Sequence, residues 1–593
     1  MRFAIPLLIL TAIFASHCAQ IGNISGGPKD VDPPIMIGSS PKLFATNFKG
    51  RKVKIDFNEY IALKDASQQF NVSPPMKKKP LVSVFKKSVI VQYTDTLKDS
   101  TTYTLNFGNS IVDNNEGNIL RNFDFAFSTG NYVDSLCIRG RILDALTLLP
   151  DKDPVLAMLY TNMADSAPYK EVPLFTARTD KDGYYSINNV KPGKYKLYAV
   201  KDKNFNYKYD PVSESLAFID TIVVLNPERI AQLLDKSKIF PPDTTKAKKD
   251  TVHKKIVIDS LTLKRERNSI YVDLLTFTEK DNKQYIKDYN RKDKRCLNMS
   301  FNNPLKDNSI DLVLQYYKIS NWYRLEETLN KDSVLAWITD TSLLKTDTLR
   351  TIVQYWGTNK KGDTLFKNDT LNFKFIKLDE VKVKKGKKPK PETMKVHWSV
   401  SGTMDINALP FFETQYPISS INKDSIIMMQ KIDTIFSNCD FELIQDSIYS
   451  RRVYLSAKWA EQTNYKLTVY PGAFKNIYNL PTDTQKITFT TQKIDYYGKL
   501  KINFEGVKVP IVVQMLEKDK VVYEKCTATN GPMVFNYIQP KKYILKIIFD
   551  ENNDKHWTTG DFKNKRQPEK VIFYKNELNI RSNWDVEFPW DLK

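Results

Sequence analysis

The chain has 593 residues, of which 41% are hydrophobic and 12% aromatic, so it can bury several cores and general disorder is excluded. At ~150 residues per domain, this length predicts about four domains. The 89 Lys and Arg outnumber the 68 Asp and Glu and give a net charge of +21, while 4 His and 5 Cys leave little material for metal sites or histidine-based triads.

The N-terminus has the layout of an export signal. In residues 1–17, Arg2 precedes an apolar run that is too short to span a bilayer. Cys18 ends this run, at the place where a thiol receives a diacylglycerol and becomes the new N-terminus. We expect lipidation at Cys18, with ordinary secretion as the alternative because two of the three preceding residues depart from the usual motif. Residues 18–34 are rich in Gly and Pro and predict a tether. An exported chain is not expected to bind nucleic acid, despite its charge.

Alternation of apolar and polar residues dominates the body of the chain. Val53, Ile55 and Phe57 alternate with charged residues, and the same period recurs in 103–107 and 123–127. A period of two is typical of strands with one buried face. The strands are short and separated by turn-rich stretches, so the sequence predicts an all-β chain of tandem β-sandwiches.

Two stretches of the chain recur at fixed spacing. Residues 182–195 resemble 530–543, and the register continues into the segments that follow. Just upstream, 101–107 resemble 463–469. Two adjacent domains therefore recur in the same order, which predicts a duplicated two-domain unit around a β-rich middle region.

Composition shifts place the domain boundaries, because two Pro- and Lys-rich stretches cannot pack a core. The predicted organisation is a signal peptide (1–17), a lipidated tether (18–34), an Ig-like domain (35–130), a prealbumin-like sandwich (131–225), a linker (226–250), a middle domain (251–378), a basic linker (379–395), a second Ig-like domain (396–493) and a second prealbumin-like domain (494–593).

Two polar loops follow the repeated strands and carry oxygen ligands at alternate positions, as calcium loops do. The position that usually holds Gly is Tyr207, and the position that usually holds Glu is Ser213. The loops therefore predict either calcium sites or polar turns that cap their own backbone. Apart from this calcium, no cofactor is expected. The candidate ligands are Asp202, Asn204, Asn206 and Asp210 in the first copy and Asp550, Asn552 and Asp554 in the second.

Aromatic residues cluster in the middle region, at Tyr316, Tyr317, Trp322 and Tyr323. Exposed aromatic side chains mark binding faces, whereas buried ones pack cores. Both interpretations stay open from the sequence: a face for a glycan or peptide, or ordinary core packing.

Reactive side chains are sparse. Cys137, Cys296, Cys439 and Cys526 are widely spaced without a C-x-x-C pair, which favours buried free thiols over disulfides. There is no G-x-S-x-G motif. We therefore expect a protein that is not an enzyme.

The start CAQIGNISGGPKDVDPP and the strands after it resemble the Ig-like outer-membrane lipoproteins of Bacteroidota. The first domain resembles their bacterial Ig-like domain, with landmarks at Tyr103, Asp113 and 125–129. The second resembles the prealbumin-like regulatory domain of carboxypeptidases, with landmarks at 182–185 and 192–195. Such domains are binding, spacing or structural modules, and the resemblance brings no catalytic residues.

The resemblance implies a lipoprotein anchored in the outer membrane that acts as an accessory subunit of a protein complex there. The expected partners are the membrane, through the N-terminal lipid, and an outer-membrane β-barrel or other envelope complex for insertion, secretion or uptake. The alternatives are a glycan-binding or adhesion lipoprotein and, third, an enzyme with its site in the middle domain. No acidic cluster follows Cys18 directly, which favours the periplasmic face over the cell surface.

Overall fold

The computed structural model describes residues 29–228, 265, 268–306, 310–375 and 393–592. The signal peptide, Cys18 and most of the two linkers lie outside these ranges. The chain divides into two compact units, one that ends at Thr278 and one that begins at Glu279. None of the helices in the described ranges is long and apolar enough to cross a membrane.

The first domain is a β-sandwich whose core comes from the alternation seen in the sequence. Val53, Ile55 and Phe57 are fully buried against Phe125 and Phe127. One sheet has the order β1-β2-β6-β5, another β4-β7-β9, and β3 pairs with β8. Its elements are β1 (Met36–Ser40), β2 (Lys52–Phe57), β3 (Ile61–Leu63), α1 (Ala66–Gln69), β4 (Asn71–Ser73), β5 (Leu81–Phe85), β6 (Ser88–Gln92), β7 (Thr102–Gly108), β8 (Ile111–Asp113) and β9 (Phe123–Ser128).

The second domain completes the first unit with one curved sheet of order β12-β11-β14-β15-β18-β10-β13, to which β16 and β17 are attached. Its core includes Ile138, Leu159, Ile187 and Leu197. Its elements are β10 (Leu136–Asp144), β11 (Leu156–Tyr160), α2 (Ala167–Lys170), β12 (Phe175–Arg178), β13 (Tyr184–Val190), β14 (Gly193–Val200), β15 (Ser215–Phe218), β16 (Val223–Leu225), β17 (Ser269–Tyr271) and β18 (Leu274–Thr278).

The last two strands of this domain correct the predicted boundaries. Strands β17 and β18 pair in parallel with β10, and β18 also pairs with β15. Residues 269–278 therefore belong to the second domain, not to a middle domain that begins at 251. The physical reason is that β10 has an edge that the strands before residue 225 leave unpaired, and this later segment satisfies its backbone groups.

The middle domain packs two sheets, β19-β20-β23-β22 and β21-β24-β25, around Leu297, Val334, Val353 and Tyr355. Its elements are β19 (Ile286–Asp293), β20 (Cys296–Phe301), β21 (Ile310–Leu314), β22 (Tyr323–Glu327), β23 (Ser333–Ile338), the 3₁₀ helix η1 (Thr341–Lys345), β24 (Thr348–Thr358) and β25 (Thr364–Lys374).

The fourth domain repeats the arrangement of the first, with sheets β26-β28-β33-β32 and β27-β36-β34-β30-β31 and the small pair β29-β35. Its elements are β26 (Val396–Trp398), β27 (Gly402–Met404), β28 (Phe411–Thr414), β29 (Ile418–Ile421), η2 (Lys423–Ser425), β30 (Ile426–Ile432), β31 (Ile435–Asn438), β32 (Glu442–Gln445), β33 (Arg452–Ser456), β34 (Asn464–Val469), β35 (Phe474–Asn476) and β36 (Gln485–Thr491).

The last domain repeats the strand pairing of the second, but as two sheets, β40-β37-β44 and β39-β38-β41-β42, with β43 paired to β41. Strand β44 pairs in parallel with β37, as β17 and β18 do with β10. The prediction of tandem β-sandwiches is confirmed. The elements are η3 (Ile494–Tyr496), β37 (Gly498–Glu505), β38 (Ile511–Glu517), β39 (Lys520–Thr527), β40 (Gly531–Ile538), β41 (Lys542–Phe549), β42 (Val571–Phe573), β43 (Leu578–Asn579) and β44 (Asp585–Asp591).

Corresponding tyrosines show how closely the two Ig-like domains match. The hydroxyl of Tyr103 accepts a hydrogen bond from the amide of Lys98, and that of Tyr465 accepts one from Ala460, both at 2.9 Å. In each case the bond spans five residues. The same loop is thus fixed in the same way in both copies.

A buried polar side chain organises the turn after the small sheet in each copy. In the first domain the carboxylate of Asp113 accepts amide hydrogen bonds from Asn115, Glu116 and Asn118 at 2.6–2.7 Å. In the fourth domain the amide oxygen of Asn476 accepts bonds from Tyr478 and Leu480 at 2.9 and 3.0 Å. The second copy, which shows no clear sequence match to 113–118, therefore keeps the turn with a neutral residue.

We expect Asp113→Asn to remove part of the pH dependence of stability. Burial alone would raise the pKa of Asp113, but hydrogen bonds from the amides of Asn118, Glu116 and Asn115 outweigh it and hold the pKa below 3.8. Its stabilisation is therefore present above pH ~4 and is lost as the pH falls through the lowered pKa of the folded state. At pH 7 the variant should lose about 1–3 kcal/mol.

Calorimetry of the full chain between pH 3 and pH 7 measures this effect. The difference in unfolding temperature between the wild type and the variant should become smaller as the pH falls. A difference that stays constant over this range would contradict the role given to the Asp113 carboxylate. Because Asn476 holds the equivalent turn, the variant is expected to fold.

Candidate binding surfaces

The first predicted metal loop follows β14 and is closed by its own side chains. The two carboxylate oxygens of Asp202 accept hydrogen bonds from the amides of Asn206 and Tyr207, at 3.1 and 3.0 Å. The side-chain amides of Asn204 and Asn206 both donate to the same oxygen of Asp210, at 2.7 and 2.9 Å. The structure thus brings the four predicted residues together in one polar turn.

The second loop, after β41, has the same geometry. The carboxylate of Asp550 accepts hydrogen bonds from the amides of Asp554 and Lys555, at 3.0 and 2.8 Å. The side-chain amide of Asn552 donates to Asp554 and to the hydroxyl of Thr558, which takes the place of Asp210. The predicted register therefore holds for the capping contacts, although Asn206 donates to Asp210 while the equivalent Asp554 accepts from Thr558.

A buried glutamate closes each loop, and the sequence analysis missed both. Glu214 and Glu569 use both carboxylate oxygens as acceptors, and burial raises the pKa of each. The two glutamates do not lie at equivalent positions of the repeat. Glu214 lies 4 residues after Asp210, and Glu569 lies 11 residues after Thr558. The donors are the backbone amides of Lys203 and Asp210 for Glu214 and of Glu551 and Thr558 for Glu569.

These loops act first as structural turns. Within the described ranges, no group of three or more His, Cys, Asp or Glu side chains is placed to hold a metal ion. Calcium in either loop would therefore depend on the amide oxygens of Asn204, Asn206 and Asn552 as well as on carboxylates. It stays a prediction.

The predicted aromatic cluster separates into buried and exposed members, which corrects part of that prediction. Trp322 is only 3% exposed, packs in the core of the middle domain, and donates its indole N–H to the carbonyl of Leu312 at 3.3 Å. Tyr323 is half-buried and donates its hydroxyl to Asp311. Only Tyr316 and Tyr317 are exposed. Trp322 packs inward because it lies where the two sheets meet, so it cannot belong to a binding face.

An aromatic pair that the sequence analysis did not select lies on the outer face of the sheet β21-β24-β25. Trp356 and Phe366 are directly opposed on β24 and β25, and their rings meet edge to face with centroids 5.5 Å apart. Their exposures are 49% and 48%. The available signal was the period-two alternation of 348–358, which puts Tyr355 inside and Trp356 outside.

A buried glutamate joins the middle domain to the fourth. Glu326 accepts hydrogen bonds from the indole of Trp337 at 3.0 Å, the hydroxyl of Ser450 at 2.8 Å and the guanidinium of Arg451 at 2.9 Å. Arg451 also lies over the Trp337 ring, 5.5 Å from its centroid. An open cleft of about 400 Å³ borders this junction. The Glu326 carboxylate in its wall is already held by three donors.

A second buried carboxylate joins the two domains of the first unit. Both oxygens of Asp124 are paired with the guanidinium of Arg265, each at 2.7 Å. Asn189 adds a hydrogen bond to the hydroxyl of Thr104 across the same junction, at 2.9 Å. Arg265 comes from the segment just before β17, so this contact depends on the corrected domain boundary.

The four described cysteines are free thiols. Cys137 and Cys296 are buried, as expected, and burial raises the pKa of both, to about 12 for Cys296. Cys439 is half-buried. Cys526 is exposed, which contradicts the expectation of burial, because it lies on β39 at the edge of its sheet.

Two parts of the chain match known families. Residues 30–129 match the family described as bacterial Ig-like domain, which confirms that part of the predicted resemblance. Residues 165–213 match polysaccharide lyase family 4, domain II, rather than the expected regulatory domain of carboxypeptidases. No curated protein matches the chain.

Solved structures that resemble the chain do so weakly. The major pilin subunit BcpA of Bacillus cereus is 9% identical, with 77% of this chain and 99% of the pilin covered and a TM-score of 0.13. The S-layer protein rSbsC(31-844) is 11% identical, with coverage of 92% and 67% and a TM-score of 0.12. The alpha-2-macroglobulin of E. coli is 10% identical, with coverage of 91% and 42% and a TM-score of 0.13.

Proposed function

We propose that the chain is a non-enzymatic binding protein of the cell envelope, anchored in the outer membrane through a lipid on Cys18. It acts there as an accessory subunit that holds partner proteins of an envelope complex. The N-terminal signal pattern and the resemblance to Ig-like lipoproteins of Bacteroidota support the location. The match of residues 30–129 to bacterial Ig-like domains supports the binding role.

The observation that carries this proposal is the way neighbouring domains are fixed to each other. In the first unit, Asp124 and Arg265 form a two-point ion pair between the domains. In the repeated pair, Asp405 accepts hydrogen bonds from the hydroxyl of Tyr497 at 2.7 Å and the side-chain amide of Gln539 at 3.0 Å. Such contacts favour one relative orientation of two domains over free rotation about a linker. Two similar pairs with fixed geometry suit a protein that spaces its partners.

Recovery of the tagged full chain from gently solubilised membranes tests this function. The matched control is Cys18→Ala. We expect an outer-membrane protein in near-stoichiometric amount with the wild type, quantified by mass spectrometry. The variant should leave the membrane fraction and lose this partner, because a chain without acyl groups has no stable anchor. Recovery of the lipoprotein alone, or unchanged membrane association of the variant, contradicts the proposal.

A further inference from the structure

The outer face of β21-β24-β25 in the middle domain carries side chains in rows across its strands. Below Trp356 and Phe366, the next row consists of Asp311, Gln354 and Asn368. Two residues along a strand span ~7 Å, so the rows follow each other at about that spacing. Further rows along the same strands are Val313, Ile352 and Thr370, and then Arg350 with Asn372.

Three of the six polar side chains in these rows are planar amides, namely Gln354, Asn368 and Asn372. Gln354 donates to the side-chain oxygen of Asn368 at 3.0 Å, which leaves each of these amides with a further donor or acceptor. At the far end, the guanidinium of Arg350 lies 3.4 Å from the hydroxyl of the exposed Tyr316. From Trp356 to Arg350 the face extends over ~20 Å. This strip presents an aromatic end, followed by rows in which polar side chains alternate with the apolar Val313 and Ile352.

We propose that this face binds a neutral oligosaccharide. The Trp356 and Phe366 rings offer an apolar surface to the C–H face of a sugar ring. The amides of Gln354, Asn368 and Asn372 can donate to and accept from the hydroxyl groups of the following sugars. A sugar has both faces at once, an apolar ring plane and a rim of hydroxyls, and this combination matches the alternation of the strip.

The chemistry of the strip argues against a protein as its ligand. The core of a protein interface is largely apolar and surrounded by a polar rim. Here the apolar side chains are not gathered in one patch, because the row of Asp311, Gln354 and Asn368 separates Trp356 and Phe366 from Val313 and Ile352. The face carries Arg350 and Asp311 as opposite charges and Lys374 in the row beyond Asn372, so its net charge is small beside the +21 of the whole chain. A neutral ligand suits it better than an anionic one.

Binding of soluble hexasaccharides to the full chain tests the proposal, with cellohexaose, laminarihexaose, xylohexaose and mannohexaose as probes. We expect at least one to bind with a Kd below roughly 1 mM by calorimetry. Trp356→Ala and Phe366→Ala should each weaken this binding by about tenfold or more. Gln354→Ala should also weaken it, which loss of a purely apolar contact would not explain.

Trp584→Ala is the matched control, because Trp584 is 58% exposed but lies in the last domain. It should bind as the wild type does. Trp356→Tyr, which keeps an aromatic ring, should retain part of the affinity, and thermal unfolding shows whether each variant is folded. The proposal is overturned if no probe binds, if Trp356→Ala binds as tightly as the wild type, or if Trp356 is needed only for recovery of a protein partner.

Discussion

Glu326→Ala is expected to destabilise the junction between the middle and fourth domains by about 3 kcal/mol. Removing one partner of a buried pair typically costs about 3–5 kcal/mol, because the other charge is left without its partner. We place this change at the lower end because the side chain of Arg451 is 22% exposed and keeps a second carboxylate, that of Glu413, at 3.6 Å. The indole of Trp337 also loses the acceptor of its buried N–H.

Hydrogen exchange of the full chain measures this loss locally. Amides of β22, β23 and β33 should exchange faster in the variant, and the calorimetric transition of the second unit should move to lower temperature. Glu327→Ala is the matched control, since the neighbouring side chain lies on the opposite side of β22 and is only partly buried. Equal effects of the two variants would show that Glu326 does not hold the junction.

Asp124→Ala is expected to loosen the junction between the two domains of the first unit, with a loss of about 3–5 kcal/mol. The Asp124 side chain is only 4% exposed, and both of its oxygens are paired with Arg265. The remaining guanidinium would then face a polar junction without its counter-charge. Arg265→Ala should be at least as damaging, because it leaves a buried carboxylate without its counter-charge, held by a long hydrogen bond of 3.4 Å from the side-chain amide of Asn188.

In both variants, the backbone amides of Ser269–Tyr271 and of β9 should exchange their hydrogens faster than in the wild type. Arg121→Ala, at an exposed position close to Asp124 in sequence, serves as the control. If the double variant of Asp124 and Arg265 loses as much stability as the sum of the single variants, the two residues do not act as a pair.

Local patterns predicted the strands and the repeated loops well, for a physical reason. Period-two alternation reports directly which side chains face a core, as Val53, Ile55 and Phe57 show. Asp202 and Asp550 were found because their roles are local: each caps amides only four and five residues away. Such interactions leave a fixed spacing in the sequence.

Long-range contacts could not be found in this way. The alternation of 348–358 indicates the outward position of Trp356, but the burial of Trp322 follows from the packing of two sheets. Glu326 finds two of its three partners, Ser450 and Arg451, more than 120 residues away. The segment 269–278 has the composition of an ordinary strand, and nothing local shows that it pairs with 137–144.

The strands β17 and β18 have a consequence for the order in which the chain can fold. The second domain cannot cover the β10 edge until residue 278 is available, although its other strands are complete by residue 225. During synthesis from the N-terminus, this edge is therefore open while some fifty further residues emerge. An open edge pairs readily with other chains. A protein truncated at residue 225 should aggregate, whereas one that ends just after residue 278 carries its own closing strand.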